Sequence, residues 1–536
     1  MTVVSHLHDE FFSLHWHGLA LPGAPWSDGA TGLTECGIPP GSSYTYMVPT
    51  GDQVGTYYYH SHAGALRSGG GPVGALIIDD PQPPWTVDPS AWSLGSSNPT
   101  LYDEERTLEI IDWCAPPPCT RTLTATKMSA DVLSVTWHPD PNWPHLRSHF
   151  ERWSCLVTPR YHRGPNEQAV GLDSVKFEWI GDPYSILHNG KGAVDCETVD
   201  AYLSCKENGT FAEVSVTEGK TYRLRLINEA SLSYLNFRIE QHTLTVIEVD
   251  GTYVTPYEVS GIDINAGQRI SVLLTANQSP DAYWINSQTR WRSKRSGQAI
   301  LRYDSIGSAI FPSATRLSTV EAAAALPTST WGSDGALMQI ASNISMDEHR
   351  KVTPTVQENK DHPVPLTATR TYTLDTSQER MSYDGTVSFT PYDKSTQMYD
   401  KSNPEADNNY LRWPTNGKAT LAQSTPVLHS VYKNILGTKA APEPNRVFYI
   451  ESGDVIDVVL QNNLALNGKA DQHPWHMHGH SFWVLGYGLG QYDPKTAVLN
   501  TVNPLRRDTV RAFGGSHLCP SSHLWCSCIA DWFLRA

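Results

Sequence analysis

Apolar residues recur along this chain in short runs with a period of two, each closed by Gly, Pro, Asn or Asp. The clearest are Tyr44–Val48, Leu76–Ile78, Thr221–Ile227, Thr243–Val249, Arg269–Leu274, Val447–Ile450 and Val455–Leu460. Successive side chains of an extended segment point to opposite faces, so such runs bury one face and wet the other, as antiparallel β-sandwiches require. Helical periodicity is nearly absent, with one short candidate at Val320–Leu326, and no repeat with a solenoid or propeller period is visible. The expected fold class is all-β.

Three strand-rich blocks follow, 1–82, 104–305 and 366–536, separated by the Pro/Ser/Asp-rich Pro81–Pro99 and the Ser/Thr/Ala-rich Ser305–Pro365. At roughly 150 residues per domain, 536 residues give three or four domains, each able to bury its own core. Two tracts fit poorly: Cys114–Ser174, with Trp137, Trp143 and Trp153 among His and Pro residues, and the stretch from Phe513 onward. Neither shows strand alternation nor helix periodicity, so the middle domain is expected to carry an irregular insert at about 114–174.

The net charge is −15, from Lys+Arg 40 against Asp+Glu 55, and the basic patch Arg292–Arg295 is short. Nucleic acid is therefore not an expected partner. The best apolar run, Val73–Ile78, is broken by Gly74 and bounded by Asp79 and Asp80, far short of a membrane span. The first residues lack the basic and apolar regions of a secretory signal, so the protein is either cytosolic or this chain begins late. Nine cysteines lack the paired spacing of a zinc site. Cys196 and Cys205 flank a polar loop and are the expected disulfide, with Cys36 a second candidate of unnamed partner. Glycosylation sequons at Asn208, Asn277 and Asn343, together with these cysteines, favour an oxidising, secretory history.

The chemistry lies in the histidines. Chance gives about one His-x-His at this composition; five are present, His6/His8, His15/His17, His60/His62, His476/His478 and His478/His480. In a strand, residues i and i+2 share a face with Cα atoms roughly 7 Å apart, so each pair can offer two imidazoles to metals held side by side. Any one pair could equally be a solvated strand face. Context separates them: His15-Trp16-His17-Gly18 follows Phe11, Phe12 and Leu14, His60-Ser61-His62 ends the aromatic Tyr57–Tyr59, and His476 and His478 run into Ser481–Gly486. His6/His8 has no such setting and reads as a solvated pair. His473 is offset by three from His476, and so should look elsewhere, to a second site. Imidazole-rich sites suit Cu, Zn, Fe or Ni.

The motifs H-W-H-G at 15–18, H-S-H at 60–62 and H-P-W-H-M-H-G-H at 473–480 resemble the first three copper motifs of the multicopper oxidases, with laccases and ascorbate oxidases nearest. Pro25-Trp26-Ser27-Asp28-Gly29, Leu187-His188-Asn189-Gly190-Lys191-Gly192 and Arg506-Arg507-Asp508-Thr509-Val510 are also family-like. The resemblance implies three cupredoxin-like Greek-key β-sandwich domains, the first and third abbreviated at the chain ends. A trinuclear copper cluster would lie between them, and a type 1 copper in the third. Carried over by motif, His15 and His476 would bind the type 2 copper, His17, His60, His62 and His478 the type 3 pair, and His473 the type 1 copper. His480 is not a ligand in that pattern. Asp28 resembles the acidic residue that assists proton delivery; reduction of O2 to two waters consumes four electrons and four protons, which a buried carboxylate can relay. From its local sequence alone, Asp28 is equally a turn residue before Gly29.

The family's fourth motif, H-C-H-I-x-x-H, has no counterpart; Cys526-Ser527-Cys528-Ile529 echoes its spacing and inverts its chemistry. That leaves four of six type 3 ligands and one of the type 1 set, so type 1 copper is in doubt. The simplest account of the departures is an imperfect gene model or splice form of an ordinary oxidase. Two functions compete: a secreted oxidase that couples one-electron oxidation of phenolic or ascorbate-like reductants to O2 reduction, and a catalytically impaired copper-binding protein. A zinc hydrolase of the HxHxDH kind is disfavoured, because Ala63-Gly64 and Gly479-His480 follow the two pairs and neither continuation supplies the required Asp-His.

Overall fold

The computed structural model describes residues 1–7, 11–63, 72–92, 101–113, 133–136, 183, 185–193, 210–231, 233–289, 296–306, 353–365, 367–381, 410–418, 426–435, 448, 450–451, 453–463, 473–489, 491–512 and 524–531. The helix candidate Val320–Leu326, the Cys196/Cys205 pair, and Asn208 and Asn343 lie outside these residues. The described residues are mostly strands, as the period-two pattern predicts, and none of their helices is long and apolar enough to cross a membrane.

The middle of the chain forms two facing sheets. One has the strand order Thr252–Val259, Leu244–Val249, Arg269–Thr275, Thr221–Asn228, Glu104–Trp113, Ser185–His188; the other runs Ile262–Ile264, Leu235–Ile239, Ala282–Thr289, Ser296–Tyr303, Glu213–Val216. Leu108, Leu224, Leu226, Phe237, Val272, Ile285 and Leu301 fill the space between them with essentially no exposure, the packing that gives a sandwich its stability. The last part of the chain builds a sheet of order Arg370–Thr376, Val455–Asn462, Leu524–Asp531, Phe482–Leu489, Leu505–Arg507, beside the pair His473–His476 and Thr509–Ala512. The first part contains a three-stranded sheet in which Gly55–Ser61 lies between Leu14–His17 and Val73–Ile78.

Among the described elements, Leu524–Asp531 is a strand paired on both sides although the stretch from Phe513 reads as patternless, and three others also depart from the sequence reading. Leu133–Thr136, inside the tract without apparent alternation, pairs antiparallel with Thr2–Ser5; four residues are too few for a periodic signal to emerge from its surroundings. Phe448 and Ile450 lie outside any strand, although Val447–Ile450 reads as one, and the Phe448 ring packs on Tyr372. Val427–Ile435 is a helix whose first N–H groups reach the carbonyls of Gly32 and Leu33, so its docking is set by a partner some 400 residues away in the chain and not by local pattern.

Candidate metal centre

Strand alternation builds the site. Leu14–His17 pairs antiparallel with Gly55–Ser61 so that His15 stands opposite His60. The intervening Trp16 turns the other way into the first core, between Tyr46 and Tyr59. In the last part of the chain Trp475 and Met477 likewise pack against the core around Leu460, Phe482 and Val510. Burying the residues between the histidines commits the imidazoles to the opposite face, and the two faces meet at a shared seam.

Six of the expected residues converge there. The His15 ring centroid lies 5.7 Å from that of His17, 5.3 Å from His60, 5.6 Å from His62, 5.5 Å from His476 and 3.8 Å from His478. His17 stacks on His476 at 3.6 Å, and His62 meets His478 edge-on at 5.0 Å. His473 is placed differently: it opens the strand His473–His476 with its ring 4.3 Å from Trp413, consistent with its three-residue offset. His480 donates from Nδ1 to the His478 carbonyl at 3.1 Å. His6 is exposed, and His8 lies outside the described residues.

The hydrogen bonds set the tautomers. A carbonyl oxygen only accepts, so His15 Nδ1 must donate to the Asp28 carbonyl at 2.8 Å, His476 Nδ1 to the Asp508 carbonyl at 2.9 Å, and His60 Nδ1 to the Ser61 carbonyl at 2.8 Å. His478 Nδ1 donates to Asp28 Oδ2 at 2.7 Å. With Nδ1 carrying the proton, a neutral ring in each of these positions presents an Nε2 lone pair. His17 is reversed: Thr509 Oγ1 donates to Asp508 Oδ1 and accepts from His17 Nε2 at 3.0 Å. The lone pair of His17 therefore sits on Nδ1, which is buried and has no hydrogen-bond partner among the described residues.

Burial favours the neutral form of three of the rings, His15, His17 and His476. It pulls His15 down to about 4, with the neighbouring His478 adding to the effect, and pulls His17 well below the ordinary histidine value, with His476 adding. Burial lowers His476 as well. For Asp28 and Asp508 burial acts the other way, but it is overridden, for Asp28 by the hydrogen bonds from His15 and His478 and for Asp508 by the Arg269 guanidinium; both carboxyls stay well below the usual range.

This donor set fits a transition metal. His15 Nε2 and His476 Nε2 face each other at 3.3 Å, two lone pairs with no proton between them when both rings are neutral. A cation satisfies both. Ring nitrogens of His15, His476 and His478, and of His15, His17 and His60, lie within 4.8 Å of one another, as do the donor atoms of His17, His476 and Asp508. Three residues here escape the sequence reading as site residues: Asp508, Thr509 and Arg269. The first two stand in the family-like Arg506–Val510 segment, which marked them as noteworthy without a role; Arg269 carries no local signal.

Multicopper oxidase family models match residues 1–83, 154–305 and 389–519. The chain is 30% identical to an L-ascorbate oxidase of Cucumis sativus over 95% of this chain and 75% of that protein. It is 29% identical to an L-ascorbate oxidase of Cucurbita pepo var. melopepo over 95% of this chain and 80% of that one. Laccase-3 of Thanatephorus cucumeris is 27% identical, covering 93% of this chain and 74% of its own. Among solved structures, the laccase from Botrytis aclada superposes with a TM-score of 0.62 at 24% identity, over 98% of this chain and 74% of that chain. The fold is thus that of cupredoxin-like β-sandwiches. With its sequence relatives and the imidazole seam in agreement, this chain belongs to the multicopper oxidase family.

Proposed function

We propose that His15, His17, His60, His62, His476 and His478 hold a copper cluster, and that the chain couples one-electron oxidation of phenolic or ascorbate-like reductants to reduction of O2 to water. The observation that carries this reading is the convergence of histidines from residues 15–62 with histidines from residues 476–478, their lone pairs turned toward one another. His15 and His476 form the type 2 pair, and the other four the type 3 set. Copper, when bound, supplies the one-electron redox chemistry and the place where O2 is reduced.

The chain's own residues do the rest. The Asp28 and Asp508 carbonyls orient His15 and His476 through their Nδ1–H groups, fixing which nitrogen meets the metal. Asp28 holds a proton-accepting oxygen, Oδ2, against His478 Nδ1, while its carboxylate remains 12% exposed. It therefore bridges the seam and solvent, as a proton relay must. Electrons enter near His473, beside Trp413. The domain limits on this reading are 1–82, 104–305 and 366–536. Cys36 is disulfide-bonded, a state that oxidising compartments maintain, and an extracellular setting follows.

Copper analysis with optical and EPR spectra tests the proposal. The expected result is several coppers per chain with a type 2 EPR signal and oxygen uptake driven by a phenol or ascorbate. A chain that takes up copper but neither turns blue nor consumes oxygen has lost the electron path through a type 1 thiolate. That outcome favours the impaired copper-binding reading, for which Cys526-Ser527-Cys528, in the strand Leu524–Asp531 where H-C-H is expected, is the reason. A chain that binds no copper overturns both.

A further inference from the structure

The seam contains a charged pair whose cationic half comes from the middle of the chain. Arg269, fully buried, grips Asp508 with two parallel bonds, Nη1 to Oδ1 at 2.7 Å and Nη2 to Oδ2 at 2.6 Å. Its Nε donates to the Thr56 carbonyl at 2.9 Å and Nη1 to the Gly267 carbonyl at 3.0 Å. One side chain thus ties together three parts of the chain, at residues 56, 267–269 and 508. We propose that Arg269 is a positioning residue for the imidazole cluster: by fixing the Asp508 carboxylate and backbone it sets the spacing and tilt of His17 and His476, although among the described residues the middle sandwich contributes no histidine to the cluster. The inference rests on the copper reading above.

Four observations support it. Asp508 Oδ1 lies 3.5 Å from both His17 Nε2 and His476 Nδ1, and Thr509 Oγ1, bonded to that same oxygen, lies 3.0 Å from the first and 3.2 Å from the second. A single carboxylate and its neighbouring hydroxyl therefore govern both rings, which are stacked at 3.6 Å and 13°. Second, a planar guanidinium locked to a carboxylate by two bonds has its orientation specified, as an ammonium would not. Third, Arg269 is itself braced: its backbone N–H donates to Asp250 Oδ1 at 2.8 Å, and Asp250 Oδ2 accepts from Arg507 Nε at 2.8 Å. Asp250 and Gly251 form a tight hairpin turn with φ of 48° and 82°, the geometry that Asp-Gly adopts readily. Fourth, the room for this arrangement is built into the first histidine motif. A Cβ on Gly18 would lie 2.4 Å from Arg269 Nη2 and 2.7 Å from Asp508 Oδ2, and one on Gly267 would lie 2.8 Å from His17 Cε1.

A neighbouring network supplies the control. Arg223 donates to Glu248 Oε2 at 2.5 Å, and Glu248 in turn accepts from the Thr56 N–H at 2.8 Å. Arg223 is buried like Arg269 and likewise helps join the segment at residue 56 to the middle sandwich, but its hydrogen bonds go to Glu105, Glu248 and Ser271 and not to the imidazoles. Arg269→Lys keeps the charge and loses the two-pronged geometry; Arg223→Lys also keeps the charge, at a position where only the junction is at stake. Two readouts follow. In the copper-free protein carrying isotope-labelled histidine, NMR ring resonances of His17 and His476, assigned with His17→Gln and His476→Gln, shift in R269K and stay in place in R223K. In the copper-loaded protein, R269K alters the type 2 EPR hyperfine splitting and lowers kcat at least tenfold with the KM for the reductant unchanged, whereas R223K matches wild type in both. The inference is overturned if R269K leaves the ring resonances and the EPR signal as in wild type, or if R223K moves them equally, since Arg269 would then be only a strut. Failure of the wild-type chain to take up copper sinks the proposed function instead, and the copper-free NMR comparison still decides the role of Arg269.

Discussion

The seam depends on the protonation state of single side chains. Four rings donate from Nδ1 to an oxygen and so must offer Nε2 inward; replacing one removes a lone pair that no neighbour can supply. His476→Ala is expected to lower the copper bound per chain and abolish the type 2 EPR signal, as metal analysis and EPR would record. Asp28→Asn keeps the shape and a hydrogen-bond acceptor but loses the proton-accepting carboxylate, so oxygen-consumption assays should show turnover about 10²-fold lower with copper content retained. Glu35 makes a separate, copper-independent prediction. Burial pushes its carboxyl up to about 8, against an ordinary value of 4.5, although Tyr46 donates to it at 2.8 Å. Its protonated form contributes stability that is fully present below 4.5 and is lost as pH rises through about 8. Between these limits stability should fall with pH by up to about 1.4 kcal/mol per unit, and Glu35→Gln should flatten that slope in melts run from pH 5 to 8. The histidines and Asp28 were legible because their motifs are local. Asp508 was visible only as part of a family-like segment, and Arg269 not at all, because its partner is 239 residues away.

At the level of elements, period-two alternation does two jobs at once. The same strand that sinks Trp16 into the first core turns His15 and His17 to the seam, so core packing and site geometry cannot be varied independently. The sequence reading placed the histidine pairs at the ends of core strands, and the register His15 opposite His60 agrees for the first two. Turns matter as much. Gly29, directly after Asp28, has φ of 77°, and a Cβ there would fall 1.9 Å from the Leu14 carbonyl. Gly29→Ala should therefore destabilise by more than about 1 kcal/mol and displace the Asp28 carbonyl from His15 Nδ1. Denaturant melts together with copper content would check both effects. The short strand Leu133–Thr136 and the helix Val427–Ile435 escaped the pattern because four to nine residues carry too little periodicity, and both are held by partners distant in the chain.

Across the whole molecule, buried charges stitch the chain together where the seam has to be rigid. Glu248 accepts from the Thr56 N–H and from Arg223, and the carboxyl, which burial alone would raise, is held at about 2 by Arg223 and Arg225. Removing one charge from such a cluster strands the others in a dry interior. Glu248→Gln should cost about 3–5 kcal/mol, seen as a lowered unfolding midpoint, while the histidine geometry, held separately through Arg269, is preserved. The three β blocks were readable from alternation and linker composition. That the middle block braces a site made from the other two was not, because burial of an ion pair depends on what covers it.

Sequence alone determined the all-β class and which histidines share a strand face, since both follow from a two-residue period that every extended backbone obeys. Tertiary structure decided which nitrogen of each ring carries the lone pair, and that six of those rings meet. The carbonyls of Asp28 and Asp508 and the hydroxyl of Thr509 select the tautomers, and those atoms reach the rings only after distant strands pack. A local pattern can specify a face, but the convergence of two faces is a property of the folded whole.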